Sequence, residues 1–166
     1  SVELFTSLEG HHRPDAQCGP STFTDLINSG QTAYGNLEVL NDGKNVYLLV
    51  NMNTGWLLKG LKVFAGDVAN LPRGNGGNIE IEEFPYQVLH NRLMQKYTYV
   101  FPKGNLPVCS DIAVFAQVAQ VDFFGNVQGN MNLWADGTQS SDGYTFNHCA
   151  GVCPSMNATN NSSIVE

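Results

Sequence analysis

Apolar and polar residues alternate along most of this chain in short runs, the period-two pattern of strands with one face buried. Over residues 1–9, Val2, Leu4, Thr6 and Leu8 fall on one face, and Phe5 is the one large apolar residue on the other. Two further runs, 33–40 and 45–52, flank Asn41-Asp42-Gly43-Lys44. Asp-Gly between two alternating runs predicts a hairpin. In that hairpin Leu37 and Val39 share an inward face either with Val46, Leu48, Val50 and Met52 or with their odd-numbered neighbours. Residues 56–66 read as a strand in which Gly60 marks a bulge. Segments 84–90 and 95–101 are strands around a short connection, and 127–134 and 143–147 complete the series. Residues 111–121 are apolar on both faces, as in a central strand covered on two sides. The stretch 21–28 fits a short helix or a strand. Segments 10–20 and 67–79, rich in Gly, Pro and Asn, are loops. About eight or nine short strands at regular spacing predict an all-β fold, an Ig-like antiparallel β-sandwich with an N-terminal strand extension. The predicted organisation is an arm and linker over 1–20, a sandwich over 21–153 and a polar C-terminal tail over 154–166.

Composition narrows the setting. The 166 residues suffice for one domain with its own core. Only 14% are charged, against roughly 25% in an average globular chain, and Asn, Gly, Ser and Thr take their place. The formal net charge is −7, with eight Lys+Arg and no basic run. That balance argues against a nucleic-acid surface and against an anionic membrane. The apolar runs fall well short of the roughly 20 residues that span a bilayer. Numbering from Ser1 fits a mature terminus left by signal removal. Cys18, Cys109, Cys149 and Cys153 point to two disulfides in an oxidising compartment. All three connectivities stay open. The rival use, a zinc site of His148, Cys149 and Cys153, lacks the paired spacing such sites show. Glycosylation sequons begin at Asn157, Asn160 and Asn161. Together these features predict a secreted, extracellular protein.

Candidate chemistry is sparse. The chain carries no nucleophile-elbow, phosphate-loop or zinc-protease motif, and it is expected to be no enzyme and to use no cofactor or metal. His11, His12 and Asp15 could ligate an ion, but adjacent side chains on an extended chain point opposite ways. Glu80 and Glu82 would share a strand face at a spacing a glycosidase could use; the simpler reading is a solvated strand entrance beside Ile79 and Ile81. Gly74–Asn78 could cradle an anion, and Asp67 with Asn70 could help hold calcium. Trp56, Trp134 and the six tyrosines, of which Tyr97 and Tyr99 share a strand face, could form a sugar-stacking platform or simply pack the sandwich.

An ordered series of blocks gives a resemblance. N45-V-Y-L-L-V-N-M-N-T-G-W56, L61-K-V-F-A-G66, N70-L-P72, F84-P-Y-Q-V-L-H90, Y97-T-Y-V-F101, I112-A-V-F-A-Q-V-A119 and L133-W-A-D-G-T138 together resemble a family of secreted bacterial β-sandwich domains of unassigned function. The chain departs from that family's small-residue/His positions at Phe115-Ala116-Gln117. The N-terminal segment is similar to that of pilus subunits assembled by donor-strand exchange. That likeness implies a homopolymer in which Val2, Leu4, Thr6 and Leu8 fill a groove of a neighbouring subunit and residues 10–20 form the reach between bodies. The alternatives are that residues 1–9 are the first strand of their own sandwich, or that the protein is a secreted carbohydrate-binding or adhesion module whose partners are surface glycans.

Overall fold

The first hairpin closes as its sequence dictates. Asp42 Oδ1 accepts hydrogen bonds from the backbone N–H groups of Lys44 (2.8 Å) and Asn45 (2.7 Å), an aspartate-stabilised turn. The structure, a computed structural model, describes residues 5–153; Val2, Leu4, the three sequons and the 154–166 tail lie outside the described residues. Eleven strands follow in order: β1 (Thr6–Glu9), β2 (Thr22–Ile27), β3 (Ala33–Asn41), β4 (Asn45–Met52), β5 (Trp56–Gly66), β6 (Tyr86–Met94), β7 (Lys96–Pro102), β8 (Cys109–Val121), β9 (Val127–Ala135), β10 (Thr138–Ser140) and β11 (Gly143–Cys149). The undecided stretch 21–28 is a strand, and β10 has too few residues for a period to register in the sequence.

Every pairing is antiparallel, and all eleven strands belong to one sheet. Its path runs β1–β7–β4–β3–β2–β9–β8–β5–β6. β11 pairs with β8 beyond the end of β9, and β10 folds back on β11. The expected all-β antiparallel character holds. The pairing does not divide the strands into the two sheets of an Ig-like sandwich; the sheet curls into a nearly closed barrel. The difference lies in β8, whose thirteen residues pair with β5 along one edge and with β11 and then β9 along the other. One long strand thereby joins what would otherwise be separate sheets.

The barrel interior takes one parity from each strand. Leu37 and Val39 of β3 face Val46, Leu48, Val50 and Met52 of β4, and Leu61, Val63, Tyr99, Phe101, Ile112, Val114 and Leu133 join them in the core. On the other parity of β8, Ala113, Phe115 and Ala119 are buried too. Ala113 lies in a second cluster with Phe64, Leu71, Ile79 and Phe84, formed where the 67–85 segment packs over the outer face of β5 and β8. The two-sided apolarity of 111–121 therefore reports a real second covering. At the predicted bulge, the register slips between Leu58 and Gly60. A Cβ at Gly60 would meet Val88 O at 2.9 Å and Gln117 Oε1 at 3.0 Å, so the close approach of β6 needs a glycine.

Two disulfides form, Cys18–Cys153 and Cys109–Cys149. The second joins residues directly opposed in the β8–β11 ladder. Replacing Cys109 and Cys149 together with Ser should lower the unfolding free energy by about 2–5 kcal/mol, read as a fall in the guanidinium midpoint.

Candidate functional site

The barrel fails to close along one line, and both walls of that line come from one hairpin. Only Gln95 separates β6 from β7. Its backbone carbonyl accepts from Met52 N–H (2.8 Å) and its side-chain amide donates to Met52 O (2.7 Å), which fixes the corner to β4. From that corner the strands part, because β7 pairs with β4 and β6 pairs with β5. Across the bulge, β6 advances from Met94 to Leu89 while β5 moves only from Leu58 to Gly60, so His90–Leu93 stand out of the ladder. Among the described residues no backbone ladder joins β6 to β7.

Side chains and β1 fill the gap. Near the corner the His90 ring stacks on Tyr97 with centroids 3.8 Å apart and planes 4° apart. The Tyr99 hydroxyl and His90 Nε2 share a hydrogen bond (2.6 Å), and the Tyr97 hydroxyl donates to Arg92 O. At the wide end Tyr86 stacks on Phe101 (4.5 Å), and Phe5 lies against Tyr86 (5.4 Å) and Tyr99 (5.7 Å). Strand β1 pairs with the edge of β7 that β4 leaves open, Thr6 opposite Val100 through Glu9 opposite Tyr97. It has no ladder to β6 among the described residues; an exposed ion pair, Glu9–Arg92 at 3.6 Å, and the Phe5–Tyr86 stack bridge that gap.

The phase of β1 is opposite to the one its sequence suggests. Phe5 packs into the barrel, while Thr6 and Leu8 lie on the exposed face, Leu8 at 38%. Val2 and Leu4, outside the described residues, share the parity of Thr6 and Leu8. Within the described pairing, the strand thus turns its aliphatic parity away from the core.

The segment after β1 is strapped to the body. Gly10, at φ +84°, turns the chain, and Gly10 N–H donates to Lys96 O. His12 N–H donates to Thr98 Oγ1 (2.8 Å), which donates to Gly10 O. Arg13 forms a two-pronged pair with Glu38, which also accepts from Ser21 (2.7 Å). The Arg13 guanidinium holds the Glu38 carboxyl below its ordinary range. On that outer face Leu40, Leu49 and Thr98 are fully buried. Cys18 ends the strap: its N–H donates to Asn41 O, and its disulfide reaches Cys153. Beside it, Gly19 and Gly151 pass so closely that a side chain on either would strike the other's backbone.

The remaining candidates are dispersed. His11 Nε2 and His12 Nε2 bond separately to Val50 O and Glu9 O, and among the described residues no group of three His, Cys, Asp or Glu converges. Cys149 and Cys153 are committed to disulfides, which removes the zinc alternative. Glu80 and Glu82 do not share a strand face: Ile81–Glu83 form a 3₁₀ turn that Glu80 precedes, and Glu82 pairs with Lys62 (2.8 Å). Asp67 caps Ala69 N–H, and Asn75–Gly77 form a 3₁₀ turn with Arg73 donating to Gly77 O. Tyr97 and Tyr99 do share a face, but that face is the buried interior. Trp134 instead reaches a surface cleft of about 510 Å³ with Asn28, Asn132, Gln139, Asp142 and Tyr144. No motif spacing marks those residues, since strand crossing alone brings them together.

Chain comparison adds no identity: no family, curated protein or solved structure matches this sequence.

Two histidines make stability pH-dependent. His148 is buried between Asn41 and Thr22: Nε2 bonds Asn41 Oδ1 (2.9 Å) and Nδ1 bonds Thr22 Oγ1 (2.8 Å). With Asn41 Oδ1 as acceptor, Nε2 carries a proton. Burial lowers the pKa of both His148 and His90, the latter partly offset by Glu9. The unfolded chain therefore binds protons first. Stability from both groups is complete above about pH 6.5 and declines as pH falls through that ordinary imidazole value toward the lower folded one. Urea midpoints should fall between pH 7 and pH 5, above the range where Glu38 protonates.

Proposed function

We propose that this protein is a structural subunit of an extracellular, pilus-like filament, in which the N-terminal strand of one copy enters the β6–β7 seam of the next. In this reading the nearly closed barrel plays the part that an Ig-like sandwich plays in donor-strand pili, and the protein has no catalytic role. The observation that carries the proposal is the unsealed seam, occupied by a four-residue strand that pairs on one side only. Strand edges with free N–H and C=O groups are templates for another chain.

Energetics favours exchange over permanent residence. Ladder bonds to β7 are the same in number whether the strand comes from its own chain or from a neighbour, so they cancel. The side chains do not cancel. In the described pairing the inward parity carries Phe5, Ser7 and Glu9. A one-residue change of register inverts every side chain and would present Val2, Leu4, Thr6 and Leu8 instead. Full burial of a Val or Leu contributes roughly 1.5–3 kcal/mol, so three aliphatics outweigh the one aromatic they displace. Released from the strap, residues 10–17 could span up to about 26 Å when extended, the reach between bodies. Because the contact is head-to-tail, it propagates without closing. The two disulfides fit an oxidising, extracytoplasmic setting.

The test is a lock. Thr6 and Val100 are directly opposed, and such pairs sit within disulfide reach. Thr6→Cys with Val100→Cys, oxidised, should hold β1 in its own barrel and leave monomers in negative-stain micrographs where the wild type forms filaments. Reduction should restore assembly. Filaments from the oxidised variant, matching wild type in number and length, would overturn the proposal; deletion of residues 1–9 should also abolish them.

A further inference from the structure

We propose that the cleft between the end of β2, strand β9 and the β10–β11 hairpin binds a neutral oligosaccharide segment of a surface glycan, so that the filament body is also an adhesin. The site is independent of the seam, since none of its lining residues lies on β1, β6 or β7.

Its size is the first argument. About 510 Å³ falls within the roughly 300–1,000 Å³ of small-ligand sites. Its chemistry is the second. Asn28, Asn132 and Gln139 each carry a carbonyl and an amide, a donor and an acceptor side by side, which is the pattern that adjacent sugar hydroxyls present in reverse. Trp134 and Tyr144 supply flat apolar surface for the C–H face of a pyranose. The only charge in the lining is Asp142. With no cation to neutralise it, an anionic ligand is disfavoured, and a neutral polyol can donate to its carboxylate.

The third argument is that the cleft is held rigid while part of its bonding capacity is unused. Trp134 is fixed edge-on by Phe115 (5.3 Å) and Phe84 (6.4 Å). A Cβ at Gly143 would lie 2.6 Å from its ring, so the hairpin backbone rests directly on the indole. Asp142 Oδ1 accepts Ile79 N–H (2.9 Å), and Asn28 Oδ1 accepts Thr32 N–H (2.9 Å). By contrast, among the described residues no hydrogen bond engages the Asn132 amide, Asp142 Oδ2 or the Tyr144 hydroxyl. Groups positioned in advance lose little freedom on binding.

Trp56→Phe leaves Trp134 as the one tryptophan of the chain and its emission as the reporter. The probes are soluble cello-, xylo-, malto- and chito-oligosaccharides, with sialylated and sulfated oligosaccharides beside them, titrated to about 10 mM, a range that captures millimolar affinities. At least one should produce a saturable change in Trp134 emission. Asn132→Ala with Gln139→Ala, both exposed and so neutral for folding, should weaken it about tenfold or more with an unchanged melting temperature and unchanged filaments. The proposal is overturned if no probe binds, if the double variant binds as tightly as its parent, or if only sialylated or sulfated oligosaccharides bind. Filament loss on locking β1 would leave glycan binding intact, which separates this inference from the filament reading.

Discussion

A sheet that curls without closing keeps two edges, and each edge carries backbone N–H and C=O groups that need partners. In this chain both edges trace back to one hairpin. Gln95 is pinned to Met52 on β4, so β6 and β7 leave a common corner and cannot rejoin while β5 and β4 hold them apart. The aromatic filling of the wedge, the outward bulge of His90–Leu93 and the seating of β1 all answer that one constraint. Rings fill the volume that a missing ladder leaves, and a short strand satisfies part of one edge.

The same fold sets the tasks of the candidate side chains. Several candidate side chains have local tasks: Asp67 caps Ala69 N–H, Glu82 pairs with Lys62, and His148 forms a buried polar bridge. A strand edge and a polar cleft lie beside them. Both suit recognition of another molecule by many weak contacts.

Much of the fold was legible because hydrophobic period two is a local property. The Asp42-Gly43 hairpin, the Gly60 bulge and the doubly covered β8 could be read from neighbours in sequence, whereas the inward face of β4 stayed open between its two parities. The closure of the sheet could not. It depends on β8 pairing with β5 along one edge and with both β9 and β11 along the other, and no short window reports which strands lie side by side. The phase of β1 was misleading for a physical reason: one large ring, Phe5, packs more contact against Tyr86 and Tyr99 than alternation counts for. The cleft around Trp134 was half legible. Trp134 could be named as an aromatic to watch, but Asn28, Gln139 and Asp142 join it only through the crossing of β2, β9 and the last hairpin.

The Cys18–Cys153 bridge has a mechanical meaning. A pull on the N-terminal arm first shears the β1–β7 ladder and the strap's bonds to Thr98 and Glu38. Tension then stops at a covalent knot, Cys18, before it reaches β2. A chain pulled at that end would pay out a short length and then meet the bridge, with β2 and the strands after it still in place.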